Sequence, residues 1–245
     1  MTESFFKNQL KVVELASVLA GPAVGMFFAE LGAEVIKIEN KKTGGDMTRS
    51  WKLPSEAADS SYSAYYASVN WNKQTYLLDL EDTTDRAQAY QLLADADIVI
   101  SNYRTKVAER LGVDYKKLSK QNPKLIFAQL NAFDEGSERP AFDVILQAEA
   151  GFMYMNGEAD GPPVKMPVAL IDILAAHQLK EGILLALLRR MQTGQGSYVS
   201  TSLFESAVAS LVNQATNWLI AGHIPQRMGT QHPNIAPYGD SYKCR

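Results

Sequence analysis

Cysteine is all but missing from this chain. Cys244 is the only one, which excludes an internal disulfide framework and any cysteine-based metal cluster and leads to the expectation of a reducing, cytoplasmic compartment. Basic charge is not in excess either: 24 Lys and Arg stand against 27 Asp and Glu, a formal charge of -3. No basic run is interleaved with aromatics, so no nucleic-acid partner is expected. Membrane association is not expected, because no apolar run reaches the ~20 residues of a spanning helix and the opening MTESFFKNQLKVVE lacks the cationic and apolar regions of a signal peptide. Gly21, Gly25 and Gly32 miss the G-x-G-x-x-G spacing of a dinucleotide site. There is no P-loop, no G-x-S-x-G elbow and no metal-ligand spacing, so neither a bound nicotinamide nor a metal is expected.

What is present is the composition of a globular protein, 46% hydrophobic and 21% charged over 245 residues. Short β-rich runs alternate with helical stretches: KVVEL near Val12, EVIKIE near Val35, TYLLDL near Leu77, DIVI near Ile98 and KLIFAQL near Ile126. This alternation predicts an α/β fold, a parallel sheet with helices on both faces. The nearly continuous apolar character of DIVI and KLIFAQ fits strands buried on both sides. Residues 44–68, polar and rich in Ser and Tyr, read as a long surface excursion. A strand is predicted at Ser197 to Ser202, then one helix ending near Gly222. We expect residues 1–222 to form the large domain and 223–245, rich in Pro and Gly, to begin a linker toward a small domain that the chain does not contain.

The most informative stretch, PVKMPVALIDILAAHQLKEGILLALLRRMQTGQG, sets a lone carboxylate, Asp172, at the apolar start of a long helix. Ala175 and Ala176 follow at three and four residues, so the face beside the carboxylate is lined by small side chains and is expected to leave room for a ligand. Two readings stay open: a solvated or capping charge, or a nucleophile that attacks an activated acyl group with backbone amides of its own helix end nearby. Glu181 reads as a solvated charge, and His177, about 140° around the helix, as facing away from Asp172.

Other polar groups fall at strand ends. Gly21-Pro22 follows the first strand and aims helix amides outward, which suits an anion but is equally a tight turn. Asn102, Tyr103 and Arg104 follow DIVI, with Lys106 and Arg110 beyond them four apart, a pattern that serves phosphates or any solvated helix. Asn72 and Lys73 precede TYLLDL as either ligands or solvated turn chemistry. His232 in GTQHP is either a site residue or loop surface.

Taken in order, LKVVELASVLAGPAVGMFFAELGAEVIKIE, GGDMTRSW, NKQTYLLDL, DIVISNYRTKVAERLGVDYKKLSKQNPKLIFAQL, RPAFDVILQAEAGFM and the Asp172 helix with RRMQTGQGSYVSTSLFES resemble the class III CoA-transferases, a family that also includes α-methylacyl-CoA racemase. The resemblance implies a Rossmann-like large domain, an interlocked homodimer, and acyl-CoA and a carboxylic acid as partners, with CoA as a substrate and no tightly bound cofactor. It implies that Asp172 is the nucleophile of a CoA transfer between carboxylic acids. It also implies that Ala20, Asn72, Lys73, Asn102, Tyr103, Arg104 and Arg110 contact CoA, and that Leu19, Phe142 and Gln147 shape the acyl pocket. Where the racemase branch has a histidine, this chain has Phe142, whose ring cannot carry a proton, and this disfavours racemisation. The alternatives are that racemase activity, or an inactive CoA-binding fragment or partner subunit, since family members run well past residue 245.

Overall fold

The computed structural model describes residues 5–7, 9–236, 239 and 241; Cys244, on which the compartment expectation rests, lies outside them. The strands are β1 (Lys11–Leu15), β2 (Glu34–Asn40), β3 (Gln74–Leu78), β4 (Ile98–Ser101), β5 (Ile126–Asn131) and β6 (Ser197–Ser202). Between and after them run the helices α1 (Ala20–Glu30), α2 (Ala64–Asn70), α3 (Thr83–Ala94), α4 (Thr105–Leu111), α5 (Tyr115–Gln121), α6 (Asp143–Glu149), α7 (Phe152–Met155), α8 (Leu170–Thr193), α9 (Leu203–Ala209) and α10 (Asn213–Ala221). The strands make one sheet in the order β3-β2-β1-β4-β5-β6, every pair parallel. That is the Rossmann order, whose reversal between β1 and β4 opens a crevice at the strands' carboxyl ends. All five strand positions expected from alternation lie in the sheet, and β6 has the bounds read from sequence.

Alternation within the strands divides the core between two faces. Val12, Ile98, Ile126 and Ala128 pack under α1 and α8 with Val24, Phe28 and Leu179, while Val13, Val99 and Phe127 pack under α3, α4 and α5 with Leu93 and Leu118. Each buried Val, Leu, Ile or Phe contributes roughly 1.5–3 kcal/mol, so both faces of the sheet are strongly held.

The alanines of α8 serve this packing rather than a ligand. Ala175 and Ala176 are fully buried, with Ile171, Leu179 and Ile183, in the layer that α1 approaches closely. The expected ligand space beside them is therefore filled by a helix. α8 ends where Gly194, in the left-handed conformation at φ 71°, returns its N–H to Arg190 O.

Two further expectations are corrected. The single helix after β6 is broken at residues 210–212: the Ser210 hydroxyl donates to Ser206 O at 2.7 Å, competing with the helical ladder, and Val212 turns to φ 47°. The 44–68 excursion is not simply surface, because Asp46, Thr48, Ser63 and Tyr66 within it are buried. Residues 223–236 hold no helix or strand; Arg227 donates to Gly161 O and Tyr154 O, tying this stretch to α7 and the segment that follows it. Among the described residues, no helix is long and apolar enough to cross a membrane.

Candidate active site

Asp172 stands in the first turn of α8, 8% exposed, on the wall of a cavity of about 560 Å³ at the carboxyl end of the sheet. Its helix has no side-chain cap of its own. The cap comes from α6: one carboxylate oxygen of Asp143 accepts the Ile171 N–H at 2.6 Å and the Asp172 N–H at 3.4 Å. Leu170 N–H donates to Val168 O and Ile173 N–H to Ala169 O. The amides of α8's first turn are thus all engaged, and the expectation that they would serve an oxyanion is corrected.

The same arrangement sets the acidity of Asp172. Burial, and second the neighbouring Asp143 carboxylate, push it up from the ordinary 3.8 to about 7. A carboxylate so desolvated is a better nucleophile than one in water, and near neutral pH a useful fraction is ionised.

Asp143 is held from behind by Gln147, whose side-chain amide donates to its second oxygen and whose carbonyl oxygen accepts the Met166 N–H at 2.8 Å. Gln147 is fully buried and does not line the cavity. It orders the approach to α8 rather than forming a pocket wall, and the pocket expectation for it is corrected on that ground. Leu19, Ala20 and Phe142, by contrast, do line the cavity with Asp172.

Asn102, Tyr103 and Arg104 line it as well. The Asn102 side chain accepts the Ser17 N–H and donates to Ser17 O, so its bonds are spent on the β1–α1 turn. Ser17, Met47, Tyr103 and Val107 are shared with a second cavity, also of about 560 Å³, whose floor includes Ile38, Leu78 and Leu111 and whose rim carries Lys42 and Arg110. The two cavities together make a path from Asp172 past Arg104 to Arg110. Glu81 holds Arg110 at 3.2 Å and Lys42 at 2.7 Å there. Lys106, four residues before Arg110, lines neither cavity and pairs with Glu138.

The structure does not bring Asn72 and Lys73 to this path. Asn72, at φ 58°, donates to Ala29 O, and both line a separate hollow at the amino ends of the strands. The Lys73 ammonium has all three donors engaged, on Glu14 at 2.7 Å, Pro22 O at 2.8 Å and Asn70 at 3.0 Å, and burial brings it down to about 8. It has no donor left for a phosphate.

Lys73 instead belongs to a buried charge network. Glu14 and Lys37, register partners on β1 and β2, are both fully buried and pair at 2.7 Å; Lys37 also pairs with Asp46 at 3.2 Å, and Glu14's other oxygen takes Lys73. Two carboxylates and two ammonium groups thus balance inside the fold. Burial alone would lower Lys37, but Glu14 and Asp46 outweigh it and the net shift is upward. Alongside, Arg49 binds Glu39 through two nitrogens and lies over the Tyr66 ring at 3.9 Å. Tyr65 is raised first by burial, then by Asp172, Asp143 and Asp46, so its phenol lies in the field of all three carboxylates. His177 is exposed, and among the described residues no group of three His, Cys, Asp or Glu could hold a metal ion.

A doubly wound parallel sheet, a carboxylate poised at its switch point and a cationic path leading away from it agree with what sequence comparison finds. Residues 8–245 match CoA-transferase family III. The chain belongs to this family. It is similar to a succinate–glutarate CoA-transferase of Agrobacterium fabrum, 39% identical over 94% of the chain and 58% of the relative, and to a succinyl-CoA:mesaconate CoA-transferase of Haloarcula hispanica, 34% identical over 97% and 61%. Among solved structures, a CAIB/BAIF family protein from Brucella suis superimposes with a TM-score of 0.87 at 38% identity, over 94% of this chain and 61% of that one. The chain therefore spans rather more than half the length of the family members it matches.

Proposed function

We propose that the chain carries the nucleophilic centre of an acyl-CoA:carboxylate CoA-transferase. The observation that carries this is a buried carboxylate, Asp172, pushed up to about 7 and facing a cavity at the sheet's switch point. An oxygen of Asp172 attacks the thioester carbonyl, the C–S bond breaks, and CoA leaves as the thiolate with an acyl–aspartyl anhydride behind it. The thiolate then attacks the Asp172 carbonyl and expels the donor carboxylate, leaving an aspartyl–CoA thioester. An acceptor carboxylate reverses the two steps and departs as the new acyl-CoA, so that no atom or electron is left unaccounted for.

In this reading the two connected cavities hold CoA, with the thioester at Asp172 and the nucleotide end toward Arg110. Arg139, on the cavity that holds Asp172 and paired with Glu149, supplies a cationic group for an anionic acyl chain, and a dicarboxylate fits that chemistry. Phe142, half exposed on the same wall, offers no proton carrier, so transfer is favoured over racemisation. We read the active form as a homodimer. Exposed Leu185, Leu188 and Met191 on the outer face of α8, and Leu219 and Ile220 on α10, support an assembled state.

Incubation with acyl-CoAs followed by intact-mass analysis tests the mechanism; failure of every acyl-CoA to leave an acyl or CoA adduct would remove it. The ligand path has its own test. Changing Arg104 and Arg110 together to Gln is expected to weaken CoA binding about 10- to 100-fold at low ionic strength, with the gap narrowing as salt screens the phosphates. Titration of both proteins at two salt concentrations reads this, and equal affinities would take the two arginines out of the site.

A further inference from the structure

Another wall of the Asp172 cavity is the turn from β1 into α1, residues 17–20. Within it Val18 has φ 75°, a region a β-branched residue enters only under constraint, because its side chain crowds the adjacent backbone. The constraint is visible. Val18 N–H donates to the Asp46 carboxylate, at 3.1 Å to one oxygen and 3.4 Å to the other. Asp46 cannot drift: it is 5% exposed, pairs with Lys37 at 3.2 Å, accepts the Thr48 N–H and hydroxyl, and donates its own N–H to Glu39. Lys37 in turn is fixed by Glu14 and by Ala16 O, two residues before Val18. The buried charge network therefore ends on one peptide group in the cavity wall. Just beyond it, no hydrogen bond is made by the N–H groups of Leu19, Ala20 or Gly21 among the described residues, and α1 has no side-chain cap.

We propose that Asp46 is a positioning residue: it holds Val18 in the left-handed conformation and so directs the open N–H groups that begin α1 toward the cavity containing Asp172. The proposal rests on the transferase reading above, since it is the chemistry at Asp172 that the positioned turn serves. It explains why a carboxylate of the 44–68 excursion is buried at all, and why two ammonium groups stand in the core on that side of the sheet.

The test compares wild type with Asp46→Ala, Asp46→Asn and the double variant Asp46→Ala with Val18→Gly. Three quantities are read: the single-turnover rate of Asp172 acylation by an acyl-CoA, the Kd for CoA, and amide hydrogen exchange across residues 16–25 without ligand. Asp46→Ala is expected to slow acylation about 10- to 100-fold, the cost of misplacing groups near the reacting atoms by about 1 Å, while Kd changes by less than about threefold. Exchange at Val18, whose N–H is bonded to Asp46 in wild type, should rise. Asp46→Asn keeps an oxygen acceptor and should recover most of the rate. Val18→Gly should restore part of the rate lost in Asp46→Ala, because glycine takes positive φ without a restraint. Unchanged exchange at Val18 with normal acylation, or a Val18→Gly effect that merely adds to that of Asp46→Ala, would overturn the proposal alone. If wild type leaves no acylated Asp172, the transferase reading itself fails, and the catalytic role of Asp46 fails with it.

Discussion

Asp172→Asn is expected to abolish CoA transfer, with a loss of about 10³-fold or more, because the amide cannot form the anhydride and, among the described residues, no second carboxylate lines the cavity to take its place. Hydroxylamine should trap an acylated Asp172 in wild type and nothing in the Asn variant. The pH dependence follows from the same carboxylate. If attack by the ionised form limits kcat/KM, the rate should climb about tenfold per pH unit below about 7 and level off above it.

The same substitution should make the protein more stable. Folding raises Asp172 from 3.8 to about 7, so the folded state binds its proton more tightly than the unfolded chain does. The stability this provides is complete below about pH 4 and is lost as pH rises through 7. Above that, the buried charge is a standing cost. Asn at 172 should therefore stabilise the fold by on the order of 2–4 kcal/mol at pH 8 and by almost nothing at pH 4. Urea titrations at the two pH values check the sign. Full transferase activity with no gain in alkaline stability would make Asp172 an ordinary structural carboxylate.

The second large effect is expected in the core. Lys37→Met should cost about 3–5 kcal/mol, because it leaves Asp46 without its cation and Glu14 with only one partner in a region that excludes water. Lys42, exposed and paired with Asp79 and Glu81, gives the contrast: removing that ammonium should have little effect on stability. Denaturant midpoints for the two variants decide it. A small loss on Lys37→Met would show that the network relaxes or admits water, and would weaken the case that it fixes the turn at Val18.

Much of the fold could be read directly because its signals are local. Continuous apolar strands alternating with helices admit few arrangements other than a covered parallel sheet, and the strand expected at Ser197–Ser202 has those bounds in the structure. The site was legible in part. Asp172, Leu19, Ala20, Phe142, Asn102, Tyr103 and Arg104 share one cavity, and Arg110 lies on the next. Lys73 was misread because a lysine beside a strand looks the same in sequence whether its ammonium meets solvent or a glutamate two strands away. A signal for the missed network did exist: Glu14 in KVVEL and Lys37 in EVIKIE interrupt strands that should be apolar on both faces, and such charges must find each other.

The alanines after Asp172 show where local reading ends. Small side chains at helical spacing admit a close neighbour, and nothing in their spacing says whether that neighbour is a ligand or α1. By itself, then, the sequence determined the strand and helix pattern, the sheet class and the carboxylate at the head of α8, because each depends on residues near one another in the chain. Only the tertiary structure decided what that carboxylate meets. Asp143 lies 29 residues away and Asp46 is 28 from the amide it holds. The acidity of Asp172 and the shape of the turn at Val18 are set by groups whose separation through space cannot be read from their separation along the chain.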